Sequence, residues 1–135
     1  MVKTNIKRLG ILTGGGDAPG LNAVIRAVSR ASRHFGVKLY GFRDGYSGLI
    51  KKDYIRLESP HISGLLPKGG TILGSNNRDN PFNFPVEQDN KTVYMDMSGK
   101  AVENLSELGI DCLIVIGGDG TLSIARELTQ KGARI

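Results

Sequence analysis

Leu113-Ile114-Val115-Ile116-Gly117-Gly118-Asp119-Gly120-Thr121 runs from four apolar residues straight into a glycine-rich turn that carries one acid. The stretch 111–116 is nearly all apolar and β-rich, as a strand covered on both faces of a parallel sheet would be. A helix over 121–131 follows, with Gly132 as its stop. The same order recurs near the N-terminus, where Leu9-Gly10-Ile11-Leu12-Thr13-Gly14-Gly15-Gly16-Asp17 leads into a second helical pattern. There a strand over 6–12 is expected, then a helix over 21–32 with Leu21, Val24, Ile25, Val28 and Ala31 on one face. Glycines let backbone N–H groups approach an anion closely, and the helix behind each turn points its positive end at the same place. An aspartate beside them suits a phosphate-bound magnesium ion. Two such turns argue for one phosphate site in a nucleotide-handling protein.

Outward from the two turns, the alternation continues. A short strand is expected over 37–42, running into turn residues at Asp44-Gly45 and Ser47-Gly48, with a further short strand over 54–57. A helical turn over 61–66 is closed by Pro67 and Gly69-Gly70. Residues 74–90 are crowded with Asn, Asp and Pro and read as a long surface loop. Helix returns over 96–108, with Ala101, Val102, Leu105 and Leu108 on one face and Gly109 after it. Ala133-Arg134-Ile135 looks like the opening of another strand. The pattern defines an α/β fold, an open, mostly parallel Rossmann-like sheet with helices on both faces, whose ligands lie outside the carboxyl ends of the strands.

Bulk properties narrow the function classes. A chain of 135 residues supports one core. The formal charge of +5 comes from scattered basic residues without interleaved aromatics, so a small polyanion accounts for it and nucleic acid is not expected. Cys112, the lone cysteine, excludes an internal disulfide and a cysteine metal cluster. No segment is apolar enough to span a bilayer, and a cytoplasmic setting is the default expectation.

Each candidate residue has two readings. Asp17 and Asp119 either balance a helix dipole or serve a ligand; for Asp119 the Gly-Gly-Asp-Gly-Thr context, with Thr121 as hydroxyl donor, favours the ligand. Arg78 either clamps phosphate oxygens or stays solvated, and Arg26 with Arg30, four residues apart on the first helix, reads by itself as a solvated face. Tyr46 either stacks on a base or covers the sheet edge. His34 and His61 have no partner at triad or ligand spacing.

At Gly15-Gly16-Asp17-Ala18-Pro19-Gly20-Leu21-Asn22 with Arg26, at Gly69-Gly70-Thr71-Ile72-Leu73-Gly74-Ser75, and at Gly117-Gly118-Asp119-Gly120-Thr121, the chain resembles the N-terminal part of the 6-phosphofructokinase family. The resemblance spans residues 1–135 and implies the ATP-binding portion of a phosphofructokinase domain. It implies magnesium-dependent transfer of the ATP γ-phosphoryl group to fructose 6-phosphate, in glycolysis. Nucleotide contacts are implied at Gly15, Gly16, Tyr46, Arg78, Asp79, Gly118, Asp119, Gly120 and Thr121, with Asp119 holding Mg2+. Arg26 and Arg30 fall where bacterial members bind an allosteric nucleotide or phosphoenolpyruvate between subunits, which also implies a homo-oligomer.

Pyrophosphate-using members carry a second aspartate where this chain has Gly120, so ATP is the expected phosphoryl donor. Two departures stand out. The segment Ser75-Asn76-Asn77-Arg78-Asp79-Asn80 is one residue longer before its arginine than the shortest family version, which bears on the contacts of Arg78. The family's catalytic stretch, Pro-Lys-Thr-Ile-Asp-Asn-Asp or a close variant, would fall beyond Ile135, so no catalytic residue is expected within this chain, which alone should be inactive and prone to self-association. Rival readings are an NAD-kinase or lipid-kinase relationship through the Gly-Gly-Asp-Gly-Thr block alone, and a non-catalytic nucleotide-sensing module.

Overall fold

The computed structural model describes residues 5–15 and 20–135, so Gly16 and Asp17 lie outside the described residues. In chain order the elements are β1 (Arg8–Thr13), α1 (Leu21–His34), β2 (Lys38–Phe42), α2 (Tyr46–Lys51), β3 (Tyr54–Arg56), α3 (Ser59–Ile62), β4 (Phe84–Gln88), β5 (Lys91–Met95), α4 (Ser98–Glu107), β6 (Cys112–Ile116) and α5 (Asp119–Gln130). Four strands form a sheet in the order β3-β2-β1-β6. β1 pairs in parallel with both β2 and β6, while the short β3 runs antiparallel to β2. The expected open, mostly parallel α/β sheet is what the chain forms.

Strand alternation divides the apolar residues between two cores, one on each face of the sheet. Ile11 and Leu39 face α1 and α3, joining Ile25, Leu57, Ile62, Leu65 and Leu73. Leu12, Phe42 and Leu113 face the other way, joining Tyr46 and Leu49 of α2, Ala101 and Leu105 of α4 and Leu128 of α5. Helix α1 therefore leaves β1 on one face, whereas α5 leaves the neighbouring β6 on the other. Where adjacent parallel strands send their connections to opposite faces, a crevice opens at the carboxyl ends between them. Both glycine turns border that crevice.

Three expectations are corrected. The region 74–90 is not all loop, because β4 and β5 form a two-stranded hairpin within 84–95. Its two turn residues, Asp89 (φ 52°) and Asn90 (φ 58°), take the left-handed conformation that tight hairpin turns demand and that Asp and Asn tolerate. Pro85 fits because a two-stranded ribbon leaves one side of each strand without a partner. Second, Ser47-Gly48, read as turn residues, lie within α2, whose terminal carbonyls at Leu49 and Ile50 each accept a 2.9 Å hydrogen bond from the buried Asn104 side chain on α4.

Third, β6 is covered on both faces only in part, with Leu113 and Val115 packed in the core beside α2, α4 and α5 and Ile114 and Ile116 against the core beside α1 and α3. It forms an edge of the described sheet, and only Leu113 among its residues is fully buried. The expected strand opening at 133–135 is seen only as one contact, the Leu113 amide donating to the Arg134 carbonyl at 2.9 Å.

Asn22 at the start of α1 fastens the loop that leads to the site. Its Nδ2 donates to the carbonyls of Lys68 (3.2 Å) and Gly69 (3.0 Å), and its Oδ1 accepts from the Ile72 amide at 2.8 Å. Asn22 is buried, and its truncation removes three part-buried hydrogen bonds at once. Asn22→Ala is expected to cost about 3 kcal/mol, read as a lowered urea midpoint at unchanged slope. A change below about 0.5 kcal/mol would show that the loop holds itself in place.

Candidate nucleotide site

The two turns touch. Thr13 of β1 pairs with Ile116 of β6, and the Gly14 amide donates to the Ile116 carbonyl at 2.8 Å. Glycine is required at this junction by space. A Cβ on Gly117 would lie 2.5 Å from the Gly14 carbonyl oxygen and 2.7 Å from the Thr121 side chain, and one on Gly14 would lie 2.7 Å from Thr121. At the outer lip the reverse holds, since a Cβ on Gly118 or Gly120 would meet nothing within 4 Å. The inner glycines allow close packing of the two turns, and the outer ones keep open the volume in front of the α5 N-terminus.

That volume is a cavity of about 510 Å³. Gly15 borders it from the first turn, Gly118, Gly120 and Thr121 from the second, and Tyr46 from α2. Asn76, Asn77, Asp79 and Asn80 form the opposite wall, and Ser123, Ile124 and Glu127 continue the α5 side. The Thr13 hydroxyl holds this wall's leading loop by donating to the Gly74 carbonyl at 2.8 Å, and the Thr71 hydroxyl lies 2.9 Å from it. Within the wall, Asn76 Nδ2 donates to Asp79 at 2.7 Å, and the Arg78 amide donates to Asn76 Oδ1 at 2.9 Å.

The expected residues are gathered unevenly. Gly15, Asp79, Gly118, Gly120 and Thr121 line the cavity. Asp119, the first residue of α5, is exposed beside it, and Arg78 is exposed outside its lining. Tyr46 lines the wall but is 2% exposed, and its hydroxyl donates to the Thr121 carbonyl at 2.8 Å. Burial pushes this hydroxyl above the ordinary tyrosine range, so it remains a neutral donor. Tyr46 thus ties α2 to the first turn of α5, and any contact with a ligand is limited to the ring surface at the wall. Arg26, half-buried, and Arg30, exposed, lie on α1 away from this cavity; Arg30 borders a separate one of about 430 Å³ with Arg33 and His34.

Sequence reasoning missed Asn76, Asn77, Asn80, Ser123, Ile124 and Glu127. The α5 members were accessible, because positions 123, 124 and 127 follow Gly120 at helical spacing. The asparagines carry no comparable periodicity.

Among the described lining residues there is no lysine or arginine, and two carboxylates, Asp79 and Glu127, are present. Attraction for an anion at this cavity would therefore have to come from glycine amides and the α5 N-terminus rather than from side-chain cations. No group of three or more metal-ligating side chains occurs among the described residues. A divalent cation here would be held by few carboxylates plus the ligand's own phosphates, the usual arrangement for magnesium.

In an open α/β sheet, the point where neighbouring crossovers diverge is where ligands sit, and the adjoining glycine turns meet there. A family profile described as Phosphofructokinase matches residues 8–135, and the chain belongs to that family. It is 52% identical over 132 residues to ATP-dependent 6-phosphofructokinase 2 of Clostridium perfringens, covering 96% of this chain and 36% of that protein. Against ATP-dependent 6-phosphofructokinase of Edwardsiella ictaluri the identity is 45% over 127 residues, covering 94% and 36%. Phosphofructokinase from Pichia pastoris in the T-state superposes with a TM-score of 0.79 at 36% identity, covering 95% of this chain and 13% of that one. A pyrophosphate-dependent phosphofructokinase from Nitrosospira multiformis shares the fold, with a TM-score of 0.74 at 19% identity over 93% of this chain and 30% of that one. The chain thus spans about a third of the length of the relatives it matches.

Proposed function

We propose that this chain is the nucleotide-binding portion of an ATP-dependent 6-phosphofructokinase, serving transfer of the ATP γ-phosphoryl group to fructose 6-phosphate. The observation that carries the reading is the contact between the Gly14 and Gly117 turns at the mouth of one cavity. Phosphates at that mouth meet amides from both turns and the α5 N-terminus, so the protein's part is to position and neutralise charge. Gly120 leaves room for the α-phosphate, which favours ATP over pyrophosphate. Asp119 stands where one carboxylate could hold Mg2+ against the phosphates, and the ion would offset charge between phosphates and the acids of the cavity wall.

The proton acceptor for the sugar hydroxyl and the sugar-phosphate site are not assigned to any residue of this chain. A positioned general base contributes about 10² to 10⁴ in rate. The 135-residue chain is therefore expected to bind Mg·ATP without turning over fructose 6-phosphate. Calorimetric titration with ATP and pyrophosphate, beside a coupled assay, tests both halves; absence of binding, or turnover at the rate of an intact enzyme, contradicts the reading.

Arg26 and Arg30 are proposed as effector contacts in a cytoplasmic homo-oligomer. The basic grouping of Arg30, Arg33 and His34 around one cavity supports an anionic effector. No described helix is long and apolar enough to cross a membrane.

A further inference from the structure

We infer that Glu127 reads the base of the bound nucleotide, its carboxylate accepting a hydrogen bond from the exocyclic amine of adenine; this rests on the nucleotide reading of the cavity. The cavity is polarised along α5. Its phosphate end is fixed by Gly15, Gly118 and Gly120, where glycine amides and the helix N-terminus concentrate positive potential. From Gly120 the same helix face continues through Ser123 and Ile124 to Glu127, seven residues and about 10 Å along the axis. That is the direction left for ribose and base once phosphates occupy the glycine end.

The chemistry of the far end agrees with that polarity. Ile124 offers a partly buried apolar surface for a ring, and a carboxylate beside it repels phosphate but accepts from an amine. Among the described residues no hydrogen bond or ion pair engages Glu127, so its oxygens face the cavity or solvent. An ionised carboxylate can only accept. Set opposite the 6-position, it accepts from the adenine amine and opposes the hypoxanthine carbonyl, whereas a carboxylate opposite N1 would favour the N1–H of hypoxanthine instead. Because Glu127 is exposed, the discrimination is about tenfold rather than the far larger factors of a sealed pocket.

The test is calorimetric titration of the 135-residue chain with Mg·ATP, Mg·ITP and magnesium pyrophosphate, in the native sequence, Glu127→Gln and Glu127→Ala. The native chain should prefer ATP over ITP about tenfold. Glu127→Gln, whose amide both donates and accepts, and Glu127→Ala should each bring the two within about twofold while pyrophosphate affinity stays unchanged. An ATP-to-ITP ratio that is the same in all three proteins overturns the assignment of Glu127 while leaving nucleotide binding intact. If the native chain binds none of the three ligands, the nucleotide reading falls and this inference with it.

Discussion

Gly120→Asp is expected to weaken Mg·ATP binding by more than about 100-fold, close to 3 kcal/mol, with folding and pyrophosphate binding retained. Folding is retained because a Cβ at this position meets nothing within 4 Å, and an acid in the first turn of α5 is favoured by the helix dipole. Binding suffers because the new side chain enters the space in front of Thr121 and sets a negative charge against the α-phosphate. Pyrophosphate, which has no α-phosphoryl, sugar or base to accommodate, escapes that conflict. Parallel thermal unfolding and titration separate the two effects. ATP affinity within threefold of the native value would mean that the nucleotide does not run past Gly120.

Gly117→Ala is expected to destabilise the chain by about 3 kcal/mol and to abolish nucleotide binding together with it. The added methyl would sit 2.5 Å from the Gly14 carbonyl oxygen and 2.7 Å from Thr121, so one turn must move away from the other. Unlike the flexible end of a long side chain, a backbone carbonyl fixed by the pairing of Thr13 with Ile116 cannot yield without disturbing the sheet. Gly118→Ala is the control, since its Cβ meets nothing within 4 Å and should cost under about 1 kcal/mol. Equal losses at the two positions, measured by urea unfolding, would remove close packing as the reason for glycine here.

The contrast between these glycines shows how far the chain could be read without coordinates. Strand-then-glycine at 9–15 and at 113–120 was legible because period, composition and turn chemistry coincide there, and β1, α1, β6 and α5 follow. Which glycines pack inward and which border the cavity depends on pairing between residues 103 positions apart, such as Thr13 with Ile116, and local pattern does not encode that. The hairpin at 84–95 was obscured by Pro85 and by the polar residues before it, although Asp89-Asn90 is itself a hairpin turn signal. Tyr46 could be singled out in the sequence but its packing could not be read there, because its bond to the Thr121 carbonyl depends on α2, an element hidden among apparent turn residues. Asn22 was visible only as the last residue of a family-like block; its burial and three side-chain hydrogen bonds arise from a loop some fifty residues downstream.

The most direct measurement is a titration of the ¹⁵N-labelled chain with Mg·ATP, followed by partial replacement of magnesium with manganese, observing the backbone amides of the cavity-lining Gly15, Gly118 and Gly120. A single pocket requires all three resonances to shift with one dissociation constant and to broaden together near the paramagnetic ion. Response confined to one turn, with the other unchanged at saturation, would contradict a shared triphosphate site.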